Sequence, residues 1–117
     1  MTNDQPNLAT RLRTERERLA ALVTKRQRLD NQLITIKSTI DQIAYAALAV
    51  DDPKAQKALT NLKRQYQDLR SDEQIIAAAT ATCQANVARL IAEEEAAQEA
   101  KVAADLLATT ADLAKLA

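Results

Sequence analysis

The chain has 117 residues, 16 basic and 16 acidic side chains, and no glycine, histidine, tryptophan or phenylalanine. Without glycine there is no phosphate-cradling loop or dinucleotide fingerprint, and without histidine the commonest general base and metal ligand is missing. A formal charge of zero gives no bulk attraction to nucleic acid or anionic membrane, while 25 alanines and only two aromatics, Tyr45 and Tyr66, point to long helices rather than a globular core.

Met1 to Pro6 form a polar stretch with no basic side chain and no apolar region after it, read as a flexible leader over 1–6 rather than a secretory signal. A first helix is then predicted from about residue 7. Its apolar positions recur at alternating steps of four and three, as a seam facing another helix requires. They run Leu8, Leu12, Glu15, Leu19, Leu22, Arg26, Leu29, Leu33, Ile36, Ile40, Ile43, Ala47 and Val50, with only Glu15 and Arg26 polar.

Asp51, Asp52 and Pro53 interrupt the pattern. A carboxylate before a proline is a helix start, because Asp52 can accept from an orphan N–H while proline at the first helical position loses no bond. The same proline disfavours helical geometry in the preceding residue. The first helix is therefore expected to end near Val50 and a second to begin at Pro53, with a turn at 51–52 short enough to make the two antiparallel neighbours.

The second helix continues the stripe through Ala55, Leu59, Leu62, Tyr66, Leu69, Glu73, Ile76, Thr80, Cys83, Val87 and Leu90. The expectation is an all-α antiparallel hairpin, a two-stranded coiled coil over 7–97 with a first arm of roughly 65 Å. Facing positions have numbers that sum to roughly 103, which places Arg26 within a turn of Glu73 as a candidate register pair. Past Leu90 the stripe shifts and restarts as Ile91, Glu95, Gln98, Val102, Leu106, Thr109, Leu113 and Leu116. Such a slip marks an exchange of packing partners, so 98–117 is read as a helical extension that completes a bundle by folding back or by oligomerisation. Ser71 with Gln74 and the pair Thr109 and Thr110 are weaker signals for a break.

Charge is unevenly spread. Between Arg11 and Arg28 stand Arg11, Arg13, Arg16, Arg18, Lys25, Arg26 and Arg28 against Glu15 and Glu17, whereas Glu93, Glu94, Glu95, Glu99, Asp105 and Asp112 face only Lys101 and Lys115 toward the end. Complementary patches of this kind suggest docking of the tail on the basic arm, within one chain or between two. Further candidate contact residues lie off the seam. Val23, Ile34 and Tyr45 recur every eleven residues, Leu48 adds to them near the turn, and Ala81, Ala85, Ala88 and Ala92 line the back of the second helix where a solvated face would carry charge.

The pattern resembles, in architecture, the stalk proteins of flagellar and type III export ATPases and the coiled-coil arm of seryl-tRNA synthetase. The residues that carry it are the heptad hairpin and its Arg-rich start, Leu12 to Leu19. No residue role comes with it.

Function is expected to be non-enzymatic: a scaffold, adaptor or assembly accessory, of phage or secretion-system type among others, that binds protein partners and self-associates. Neighbouring helical carboxylates splay rather than converge, so no metal, cofactor or small-molecule substrate is expected. The run from Gln74 to Ala88 is charge-free but reads as too short and too polar to span a bilayer, and one cysteine, Cys83, suggests a reducing, cytoplasmic setting. The competing reading is nucleic-acid binding along Arg11, Arg18 and Lys25, which the missing aromatics and the zero charge disfavour.

Overall fold

A computed structural model describes residues 7–116; the predicted leader and Ala117 lie outside the described residues. Two helices account for almost all of it, α1 at Leu8–Leu48 and α2 at Pro53–Leu116, and the described residues include no strand. The fold is an all-α helical hairpin. Asn7 starts α1 by accepting from the Thr10 N–H at 2.8 Å, which satisfies one of the donors a helix N-terminus leaves unpaired.

The link between the helices is longer than the predicted two residues. α1 stops at Leu48, and Ala49 to Asp52 make the turn. Asp51 takes the left-handed conformation at φ 55°, a role glycine would usually fill and one that aspartate tolerates better than most side chains. The reversal lets the Asp52 N–H reach the Ala46 carbonyl at 3.0 Å, and Gln56 Nε2 donates to the Ala47 carbonyl at 3.2 Å. Asp52 caps α2 as expected, since its Oδ1 accepts from the Lys54 N–H at 3.1 Å.

The chain divides into two compact units. One comprises Leu19–Thr82, with the turn and both flanking helical arms; the other brings the described residues up to Arg18 together with those from Cys83 onward. Within the first, Leu29, Leu33, Ala47 and Leu59 are buried; within the second, Leu12, Cys83 and Leu90 are. All seven are seam positions. Every other seam position is at least half-buried except Arg26 and Val50, which are exposed. The alternating four-three pattern therefore marks the packed edge of each helix, and burial on that edge is what holds the arms together.

Neither weak break signal interrupts α2. Ser71 lies inside the helix, and the Thr109 and Thr110 hydroxyls donate back to the Asp105 and Leu106 carbonyls, both at 2.9 Å. A threonine bonded this way continues a helix instead of capping a new one. The helix runs to Leu116, and every described residue from Ala92 onward is exposed, so the extension does not fold back on α1.

Candidate functional site

In the unit formed by the start of α1 and the second half of α2, a polar cluster sits on the seam. Cys83 Sγ donates to the Glu15 carbonyl at 3.2 Å and reaches the Glu15 carboxylate at 3.4 Å. Asn86 Nδ2 donates to the same carboxylate at 3.4 Å, and the Arg18 guanidinium, one turn along α1, donates to its other oxygen. The geometry follows from the heptad register: Glu15 occupies a seam position on α1, Cys83 a seam position on α2, and Asn86 lies one turn beyond Cys83.

The charges respond accordingly. Glu15 is held below the usual carboxylate range, chiefly by the hydrogen bond from Arg18 and then by that from Cys83, with Asn86 adding to them and burial opposing. Removal from water pushes the Cys83 thiol up first, and the hydrogen bond and negative charge of Glu15 push it further. A thiol kept protonated beside a carboxylate is a poor nucleophile, because the thiolate is the reactive form. The cluster acts as a lock between the helices.

Arg11 pairs with Glu93 across the hairpin at 3.8 Å, with both side chains well exposed. Arg11, Thr14, Glu15, Arg18, Asn86, Arg89 and Leu90 wall a groove of about 260 Å³. Arg13 and Arg16 are exposed and lie outside this groove, on the other flank of α1. In the unit around the turn, Lys25 and Arg28 are exposed and border a groove with Leu29, Gln32, Asp72 and Ile76.

The expected register pair is not formed. Arg26 is exposed, Glu73 is half-buried in a groove beside Lys37 and Arg70, and no salt bridge within 4.0 Å joins the two. A long guanidinium stem lets the charge remain in water while its methylenes cover the seam, which avoids the cost of burying an ion pair. The seam residue that does cross-link the helices is Glu15, whose polar character was visible in sequence but whose partners, a thiol and an amide, were not.

The remaining candidates stand free. Val23 is 54%, Ile34 68% and Tyr45 74% exposed, and Ala81, Ala85, Ala88 and Ala92 are exposed along the back of α2. In the extension, Val102, Leu106 and Leu113 are all exposed, and Leu107 and Leu116 are as open. Leu107 lies off the repeating stripe, so periodicity alone does not find it.

Among the described residues there is no group of three or more histidine, cysteine, aspartate or glutamate side chains that could hold a metal ion. α2 contains an 18-residue window of mean hydropathy 1.3, long and apolar enough by length and composition to cross a membrane. The sequence reading of this region as too short and too polar is corrected on that criterion, since Leu90 and Ile91 extend the apolar stretch past Arg89. Comparison with protein-family models, with curated proteins and with solved structures finds no match.

Proposed function

We propose that this chain is a non-enzymatic coiled-coil interaction protein that self-associates and binds protein partners through α2 beyond the hairpin. The observation that carries the reading is the extension, helical and wholly exposed over 98–116, with Val102, Leu106 and Leu113 repeating along one side. A helix with no tertiary packing is marginal in water, and an exposed apolar stripe on one is the mark of a missing neighbour. The alanines behind the seam add a surface that another helix can approach closely. The apolar window of α2 serves packing in this reading and not a bilayer, because Ile76, Cys83, Val87 and Leu90 in that region belong to the seam.

Nucleic-acid binding has less support. Of the three cations on the Arg11, Arg18 and Lys25 stripe, Arg11 already pairs with Glu93 and Arg18 with Glu15.

Light scattering on a size-exclusion column tests the proposal. The full chain is expected to run as an oligomer, and a variant lacking 99–117 as a smaller species of unchanged hairpin helicity. Equal protomer number for both, across concentration and salt, would refute a role of the extension in association.

A further inference from the structure

The sequence pairs a basic arm with an acidic tail, and among the described residues of one chain a salt bridge joins them only at Arg11 and Glu93, with the tail past Glu93 exposed. α2 stays helical through Leu116, so at 1.5 Å per residue Asp112 lies about 30 Å beyond Ile91 along the helix axis. Arg13 and Arg16 on α1 are exposed, as are Asp105 and Asp112 on α2, and none of the four takes part in a salt bridge within 4.0 Å. Both halves of the complementarity are left open.

Helical periodicity shows how a second copy satisfies them. Val102, Leu106 and Leu113 share a face with Ile91, and Asp105 and Asp112, seven residues apart, run along one edge of that face. Asn86 and Arg89 wall the groove on one side of the seam together with Arg11 and Arg18. Ile91 lies on the opposite side of α2, and Arg13 and Arg16 flank that same side from α1. The apolar stripe of the extension therefore continues, on α2, a surface bordered by arginines.

We infer that two copies exchange their extensions about a two-fold axis, each extension lying antiparallel on the Ile91 face of the other copy with its Asp105 and Asp112 edge against Arg13 and Arg16. An isologous contact of this kind satisfies both patches at once. A parallel pairing would instead place Glu93, Glu94 and Glu95 beside their own counterparts, where like charges repel. The inference rests on the self-association reading and specifies its partner as a second copy.

The test uses two charge-reversed full-length chains, one carrying Arg13→Glu and Arg16→Glu, the other Asp105→Arg and Asp112→Arg. Each alone is expected to dissociate at roughly tenfold lower dilution than the wild type, since attraction at two pairs becomes repulsion. Mixed in equal amounts they are expected to restore the dimer as a heterodimer, because the reversed extension then meets the reversed arm and the two native surfaces meet each other. Circular dichroism confirms that each variant keeps its helicity, and a Leu106→Asp, Leu113→Asp chain is expected to be monomeric with or without the others. Dimers that ignore both reversals, or reversed chains that fail to rescue one another, would overturn the exchange while leaving extension-dependent association standing. A full chain that is monomeric at every concentration would overturn both.

Discussion

The thiol of Cys83 on α2 donates to the main-chain carbonyl of Glu15 on α1, 68 residues away, at 3.2 Å. A polar bridge at this point of an apolar edge fixes which turn of one helix faces which turn of the other, because sliding by one turn would leave the Glu15 carboxylate against a hydrocarbon lining.

Acid should weaken the fold partly through this bridge. A carboxyl whose folded pKa is depressed contributes stability that is present above its unfolded value, near about 4.3 for glutamate, and is lost as the pH falls through the folded value. Glu15 is such a group. Thermal melts between pH 5 and pH 2 should therefore show a steeper loss for the wild type than for Glu15→Gln. Parallel curves would remove Glu15 from the acid response.

The same bridge has an alkaline signature. The raised Cys83 pKa means that its contribution is complete below the ordinary thiol value, about 8.5, and declines as the pH rises from there through the folded pKa. At pH 7 the buried thiol should react with a maleimide at least about tenfold more slowly in the folded chain than in urea. Equal rates would mean that the seam opens freely at Cys83.

Burial on the seam sets the cost of truncation. Leu33 is 8% exposed and its neighbour Ile34 is 68% exposed. Leu33→Ala should destabilise by about 2–3 kcal/mol in urea titrations, whereas Ile34→Ala should change stability by less than about 0.5 kcal/mol. Ala47, with no exposed surface, should resist enlargement, so Ala47→Leu should cost about 1–3 kcal/mol by overpacking the approach to the turn.

The turn depends on one left-handed residue. Asp51→Gly should be neutral or slightly stabilising, since relief at φ 55° is offset by greater freedom in the unfolded chain. Asp51→Val should cost about 1–2 kcal/mol, because a β-branched side chain clashes in that region. Thermal denaturation of the wild type and the two variants should place Val lowest and Gly level with or above Asp; a Val chain as stable as the wild type, or a Gly chain clearly below it, removes backbone conformation as the controlling factor at this position.

Much of the fold is legible in the residues. The four-three spacing from Leu8 to Leu90 names the positions that become buried, because side chains three and four apart share a helix face whatever the partner. Asp52 and Pro53 mark the start of α2 through chemistry confined to one turn. The extent of the link was less legible, since the turn closes through Asp51 and Gln56, whose roles depend on where α1 frays. The bare face of the extension was visible as a stripe, but the same stripe is compatible with a fold-back.

What the sequence by itself determined, then, is local: helix type, helix start, and the apolar edge of each arm follow from periodicity, capping and proline geometry within a few residues. What only the tertiary structure decided is which polar groups find one another and which faces stay uncovered. Arg26 and Glu73 have matching charge but leave each other unpaired, while Glu15 is met by Cys83 and Asn86, because pairing depends on side-chain reach and rotation to a fraction of a turn. The continuity of α2 through Glu99 and Lys101 carries Val102, Leu106 and Leu113 away from their own α1, so a surface that composition marks as apolar is left for a neighbour to cover.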